Sequence, residues 1–180
     1  KRRHAKAINF GLIYGMSAFG LSRGTGLTLG EAEDFVQAYF TQFPGVKAYL
    51  DGLRKSAAQL GYVETMFGRR RYFPNLQSGA NPALRAREER EAINAPIQGT
   101  AADLLKVAMI ALPSALQAEG VQARMLLQVH DELVLETPAA QLQATARIVR
   151  HTMENVAKLA VPLSTEARSG NLPPVPISSV

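Results

Sequence analysis

The first part of the chain carries apolar residues at the spacing of α-helices. The pattern predicts a helix over residues 2–14 that ends at Gly15, a glycine typical of a helix C-terminus. Thr28 and Glu31 have the spacing of a capping box, in which each side chain bonds the other residue's backbone. Another helix is therefore expected to start there and to end near Phe43.

The middle of the chain changes from helix to hairpin. Pro44 suits the first turn of a further helix that stops at Gly61, and the short link predicts that this helix runs antiparallel to the preceding one. Residues 63–66 and 71–73 are short strand-like segments separated by Gly68 and its neighbours. They predict a small β-hairpin.

A long helical region follows. Asn81 and Pro82 predict a helix start, and the pattern continues to Ala95. Pro96 is expected to bend or break the helix because proline lacks the backbone N–H and its ring clashes with the preceding turn. A second helical stretch is predicted over residues 98–117.

The C-terminal part alternates strand and helix patterns. Residues 125–129 and 133–136 are apolar runs on either side of the polar residues 130–132, which predicts a buried β-hairpin with a polar tip. Residues 138–159 predict a final amphipathic helix, residues 161–166 an edge strand, and the proline-rich end a disordered tail. The predicted fold class is α+β, with helices first and then a small antiparallel sheet backed by long helices.

Composition excludes several kinds of site. The chain of 180 residues is long enough for one compact domain or for two lobes that share a core. It contains no cysteine, so disulfides and thiolate metal sites are excluded, and a bound metal would have oxygen or imidazole ligands, as Mg²⁺ prefers. No uninterrupted apolar run reaches about 18 residues, so no membrane role is expected. No apolar block follows the basic first residues, so no export signal is predicted either.

The charge is unevenly distributed. The formal net charge of +5 favours a polyanionic partner. Basic residues cluster at Lys1–Lys6, Arg69–Arg71 and Arg85–Arg90, whereas acidic residues concentrate at Glu31–Asp34 and Asp131–Glu132. This distribution is typical of a phosphate-facing surface that contains a small acidic pocket.

The first predicted helix presents four residues at four-residue intervals: Arg2, Lys6, Phe10 and Tyr14. That spacing keeps the side chains on one slowly turning stripe about 18 Å long. Arg and Lys bind triphosphate oxygens, and a flat aromatic side chain stacks on a base and sugar. The stripe therefore fits a nucleotide laid along the helix; the alternative is a solvated basic helix end whose aromatic residues lie in a core.

The same residues resemble a known motif. Arg2 and Lys6, with the run INFGLIYGMS at residues 8–17, resemble motif B of family A DNA polymerases, the fingers helix that closes over the incoming nucleotide. The resemblance implies that Arg2 and Lys6 hold the triphosphate, that Phe10 stacks on base and sugar, and that Tyr14 marks the template-base position. Phenylalanine at position 10 implies discrimination against dideoxynucleotides.

The second acidic cluster resembles motif C of the same family, on the run QVHDE at residues 128–132. A hairpin tip directs adjacent side chains differently, so one carboxylate acts as metal ligand and the other supports it. We assign Asp131 as the ligand. The resemblance implies that Glu132 assists, that His130 lies near the primer terminus, and that the complete enzyme uses two Mg²⁺ ions. Asp131, Glu132 and Lys6 are the predicted catalytic residues; the alternative for the acidic pair is an exposed polar turn.

The run AINAPIQGTAAD at residues 92–103 is also similar to the family, in the helices beside the palm. The resemblance implies that Arg90, Asn94 and Gln98 reach the minor groove of the primer-template duplex, where such side chains can test base-pair shape without reading sequence. The alternative is that Asn94 and Gln98 cap the break at Pro96. The arginines of 69–71 are expected to touch the DNA backbone or the fingers surface.

The resemblance extends from Arg2 to about Glu166 and implies three regions: a fingers segment over 1–61, a palm segment over 62–166 and a tail over 167–180. Motif A, which carries the family's other metal-binding aspartate, is expected upstream of the fingers, and no aspartate here takes its place. The end of the chain also departs from the family's pattern.

The chain is therefore identified as a C-terminal segment of a template-directed DNA polymerase that is inactive alone. Its partners would be primer-template DNA, dNTPs and an upstream segment with motif A and thumb, in the bacterial cytoplasm at the nucleoid. The alternatives are a noncatalytic nucleic-acid-binding remnant and, more distantly, a single-subunit RNA polymerase.

Overall fold

The computed structural model describes the backbone of residues 2–77 and 81–170, and within those ranges the side chains from Ile8 onward. The chain divides into two compact units between Ala101 and Ala102. Helices predominate, with two small antiparallel sheets, so the α+β class is confirmed. The boundary at 61/62 between fingers and palm stays a prediction, and the part of the predicted tail at 171–180 lies outside the described residues.

Four helices open the first unit, and their ends follow the local sequence signals. Thr28 Oγ1 accepts from the Glu31 N–H while the Glu31 carboxylate accepts from the Thr28 N–H, so the predicted capping box is confirmed. Gly15 and Gly61 adopt left-handed backbone conformations, with φ of 77° and 76°. The helices are α1 (Arg2–Ile13), α2 (Ala18–Thr25), α3 (Leu29–Gln42) and α4 (Pro44–Leu60).

A small hairpin follows α4 and joins a compact apolar cluster. Strands β1 (Tyr62–Glu64) and β2 (Arg70–Tyr72) pair antiparallel, as predicted, and a short 3-10 turn follows at Pro74–Leu76. The cluster consists of Ala57, Val63, Phe73, Leu76 and Ala92, so it joins residues from α4, the hairpin and the next helix. Burial of this apolar surface ties the hairpin to both helices.

The next helix, α5 (Pro82–Ala118), is continuous for 37 residues. Its predicted start is confirmed, because Asn81 Oδ1 accepts from the Ala83 N–H at 2.9 Å. The predicted break at Pro96 is wrong. An interior proline costs a helix about 3 kcal/mol, yet Ala92, Ile93 and Pro96 are buried, and their packing holds the helix together.

Among the described residues, α5 is the one helix long and apolar enough, on length and composition alone, to cross a membrane, a test that core helices of soluble proteins also pass. Asp103 and Lys106 interrupt its apolar half, which is why the sequence shows no continuous apolar run.

The second unit contains β3 (Arg124–Val129) and β4 (Glu132–Glu136), paired antiparallel with an irregularity between Met125 and Leu127. The predicted hairpin is confirmed, but its predicted burial is wrong. Leu127 is 60% exposed and Val129 and Val134 are also exposed. The reason is that this sheet has two strands, so one face is left open within the described part of the chain.

The end of the second unit differs from prediction in two places. A 3-10 turn at Ala139–Gln141 leads into α6 (Leu142–Glu154), which is shorter than the predicted helix over 138–159. Asn155 Nδ2 donates to the His151 carbonyl and so satisfies the helix end. The predicted edge strand over 161–166 is absent from the described structure, because the Thr165 N–H donates to Glu154 Oε1 instead of to a strand.

Candidate nucleotide and DNA site

The C-terminal turns of α1 present an aromatic surface. The rings of Phe10 and Tyr14, one helical turn apart, are stacked with centroids 6.1 Å apart and an interplanar angle of 30°. Phe10 is 45% exposed and Tyr14 is half-buried. The alternative in which both aromatic side chains are core residues therefore does not hold for Phe10. Phe10 therefore presents a partly exposed aromatic side chain at this end of α1.

One buried side chain and two contacts fix this end of α1. Leu12 lies on the same two turns but is fully buried, so it anchors the helix. The Tyr39 hydroxyl, on α3, donates to Asn9 Oδ1 at 2.7 Å. Gly15 lies so close to Ile93 that an added Cβ would be 3.1 Å from Ile93 Cδ1. The end of α1 therefore packs against α5 beside the segment that carries Asn94.

Arg2 and Lys6 belong to α1, eight and four residues before Phe10. The structure describes their backbone but not their side chains. The helical geometry keeps both residues on the predicted stripe. Their contacts with a triphosphate stay a prediction.

On α5, Arg90 and Gln98 are exposed. The Asn94 Oδ1 atom is buried and has no hydrogen-bond partner in the described part of the chain. Neither Asn94 nor Gln98 caps a break, because the helix is continuous and no hydrogen bond from either side chain is seen among the described residues. A contact from Asn94 to DNA would have to come from Nδ2 or follow a rotation of the amide.

The three arginines after Gly68 have partners inside the molecule. Arg69 donates to the Gly99 carbonyl, Arg70 pairs with Glu64, and Arg71 pairs with Glu91. The hydrogen bond that Arg70 donates to the Glu64 carboxylate raises the pKa of Arg70, which remains charged. The side chains of Arg70 and Arg71 are half exposed, so each can also contact a phosphate.

The tip of the β3–β4 hairpin carries the acidic pair. Val129 pairs with Glu132, which leaves a loop of two residues, His130 and Asp131. His130 has a positive φ of 55°, and its carbonyl accepts from Gln128 Nε2 at 2.6 Å. Glu132 belongs to the strand and Asp131 to the loop, so the two carboxylates leave the backbone at different points.

Asp131 and Glu132 are of a residue type that binds divalent cations. Both are exposed, and neither side chain has a polar partner in the described part of the chain. Carboxylate oxygens are the ligands that Mg²⁺ prefers. Within residues 2–77 and 81–170, however, no group of three or more His, Asp or Glu side chains is placed to hold a metal ion. Remaining ligands would have to come from water, a phosphate or another carboxylate.

Family comparison agrees with the resemblance seen in the motifs. Residues 1–172 match the family model described as DNA polymerase family A. The chain belongs to this family.

Among relatives of this family A chain, DNA polymerase I of Pseudomonas aeruginosa is 52% identical over 171 residues, which are 95% of this chain and 19% of that protein. The thermostable DNA polymerase I of Thermus aquaticus is 50% identical over 169 residues, which are 94% of this chain and 20% of that protein. The chain thus spans about a fifth of the length of the curated relatives it matches.

A solved structure shares the fold. It is described as the POL domain of Pol1 from M. smegmatis in complex with DNA primer-template and dNTP. The TM-score is 0.86 at 44% identity, and the match covers 91% of this chain and 29% of that chain. The match supports the fold of the family A segment as described above.

One contact of this polymerase segment could not be predicted from the sequence. The turn between β1 and β2 lies against α5, where Thr65, Arg69 and Gln98 line a cavity of about 180 Å³. The one sequence signal was Gly99, a glycine inside a helical pattern, which often has a packing reason.

Proposed function

We propose that this chain supplies the nucleotide-selecting part and one metal ligand of a template-directed DNA polymerase that transfers nucleotides to a primer 3′ end. The observation that carries the proposal is the exposed, stacked Phe10–Tyr14 pair, whose helix end packs on Ile93 of α5. Family membership supports it, as do the names of the relatives and the primer-template DNA and dNTP in the complex of the solved neighbour.

The nucleotide would lie along α1. Arg2 would bind two triphosphate oxygens at once and Lys6 would act as a point charge, while Phe10 stacks on base and sugar. Tyr14 would mark the template-base position. Lys6 would also act in catalysis, because a cation beside the triphosphate stabilises the charge that develops during transfer.

The residues proposed to contact DNA lie on α5 and, separately, at the tip of the β3–β4 hairpin. Arg90, Asn94 and Gln98 would contact the minor groove, where acceptors occur at similar places in every base pair. His130 would lie near the primer terminus. The exposure of Arg90 and Gln98 supports this assignment.

Asp131 would hold the metal, with Glu132 as its support. Two Mg²⁺ ions, when bound, would lower the pKa of the primer hydroxyl and stabilise the leaving pyrophosphate. Asp131 and Glu132 supply too few ligands for two ions. We therefore propose that the segment works within a longer polymerase, in the bacterial cytoplasm with the chromosomal DNA, where an upstream segment with thumb and motif A adds a second carboxylate.

Two experiments test the function. The isolated 180 residues are expected to give no Mg²⁺-dependent primer extension, and templated synthesis by them would refute the need for a second carboxylate. In the full-length polymerase that carries this segment, Phe10→Tyr is expected to relax discrimination against dideoxynucleotides. Tyr39→Phe is the matched aromatic control, since it changes a hydroxyl away from the stacking face. Unchanged dideoxy/deoxy selectivity in Phe10→Tyr would contradict the assignment of α1.

A further inference from the structure

The turn that joins β1 and β2 is seated on α5 by three contacts. The Met66 N–H donates to Thr100 Oγ1 at 3.0 Å, and Arg69 donates from its guanidinium to the Gly99 carbonyl at 3.1 Å. Gly99 supplies the third contact, because it lies directly under Thr65. We refer to these three contacts, which Thr65, Met66 and Arg69 make with Gly99 and Thr100, as the turn lock.

Position 99 leaves no room for a side chain. A Cβ atom there would lie 2.6 Å from Thr65 Cγ2 and 3.3 Å from an Arg69 nitrogen. Thr65 cannot turn its methyl group away, because its Oγ1 accepts from the N–H groups of Phe67 and Arg69. Thr65 is also only 9% exposed. The close approach of turn and helix therefore depends on glycine at 99.

The turn lock acts where α5 is weakest. Pro96 has no N–H to donate to the Ala92 carbonyl, and glycine is the least favourable ordinary residue in a helix interior. The helix is continuous here. The lock adds bonds from outside the helix at Gly99 and Thr100, three and four residues after the proline.

Gln98 lies between Pro96 and the lock. Its side chain and that of Arg69 line the same cavity of about 180 Å³. A Gln98 amide that tests base-pair shape needs a fixed position, since misplacement by about 1 Å can cost about a hundredfold in rate. We propose that Thr65, Arg69 and Gly99 are positioning residues that hold Gln98 against the newly formed base pair, so that the turn lock determines selectivity for a matched primer end. This inference rests on the proposed role of Gln98.

The test uses four variants of the full-length polymerase that carries this segment: Gly99→Ala, Thr65→Ser, the double variant of these two, and Gly52→Ala. Thr65→Ser removes the clashing methyl and keeps Oγ1. Gly52 is a helical glycine of α4 with no atom within 4 Å of an added Cβ, so it is the matched control. The measurements are kcat and KM for the dNTP on matched and mismatched primer ends, and the melting temperature.

Gly99→Ala is expected to lower the ratio of matched to mismatched extension by about tenfold, with little change in the KM for the dNTP. The double variant is expected to restore the ratio to within about twofold of the original protein, because the two substitutions are coupled through one contact. Gly52→Ala is expected to leave the ratio unchanged.

The variant Gln98→Ala distinguishes failure of the proposed duplex contact from failure of the turn lock. If Gln98→Ala leaves the ratio unchanged, the proposed duplex contact fails and this inference fails with it. If Gln98→Ala lowers the ratio but Gly99→Ala does not, the turn lock alone is refuted. Gly99→Ala could also lose stability without being rescued by Thr65→Ser. That result would overturn the inference, because the clash with the Thr65 methyl group would then not be the cause of the loss.

Discussion

Asp131 and Glu132 allow a sharp test, because they are adjacent, both exposed and equal in charge. The changes are Asp131→Asn and Glu132→Gln, which remove one negative charge each and keep the side-chain shape. Neither carboxylate has a polar partner within the described residues, so each change should alter the free energy of unfolding by less than about 0.5 kcal/mol. Any larger effect on activity would therefore come from the site itself.

The two changes should differ in size. Loss of Asp131, the proposed metal ligand, is expected to slow primer extension at least about a thousandfold, which corresponds to about 4 kcal/mol of transition-state stabilisation. Loss of a group that supports the ligand, as proposed for Glu132, typically costs about ten- to a hundredfold. The assay is single-turnover primer extension by the full-length polymerase, with a DNA-binding titration as the control.

Three results would refute this reasoning. A loss in Glu132→Gln equal to or greater than that in Asp131→Asn would reverse the two roles. Asp131→Asn with full activity would remove the metal assignment. A full-length protein with no activity before any substitution would support the alternative of a noncatalytic nucleic-acid-binding remnant.

Three further predictions concern stability. Thr28→Ala removes the acceptor for the Glu31 N–H and should cost about 1 kcal/mol in urea unfolding, whereas Thr41→Ala, without a cap to lose, should cost less. His130→Gly should stabilise the hairpin by up to about 1 kcal/mol, because φ at this position is 55°, a conformation that glycine adopts without strain. The same change is expected to reduce extension of the primer end. A loss of stability would contradict the interpretation that His130 is strained. The hydrogen bond that Arg87 donates lowers the pKa of Glu91 below its ordinary value, so this contribution to stability is present above the ordinary pKa and is lost as pH falls through the folded pKa. Glu91→Gln should therefore flatten the acid-side fall in stability, and an unchanged pH profile would contradict the shift.

Local signals in the sequence were sufficient for most elements. The capping box at Thr28 and Glu31 and the glycine at 61 act through backbone groups a few residues away, so their effects can be read without knowing the fold. The same holds for the second hairpin, although its predicted tip over residues 130–132 is one residue too long, because Glu132 pairs with Val129 in the strand. The exposure of Phe10 was also consistent with the stripe predicted on α1.

The errors arose where distant residues decide the outcome. Pro96 does not end its helix, because Ala92 and Ile93 are buried by packing that no local pattern records. The β3–β4 hairpin was expected to be buried, since its residues are apolar, but apolar residues are buried only where another element covers them.

The sequence by itself determined the family, the helix and hairpin starts, and the identity of the candidate residues, because these depend on residue type and short spacing. Only the tertiary structure decided that the arginines at 69–71 have internal partners and that Gly99 lies against Thr65. Residues 65 and 99 are far apart in the chain, and their contact depends on how a turn and a helix are brought together by a shared core. No pattern of short period encodes a contact at that separation.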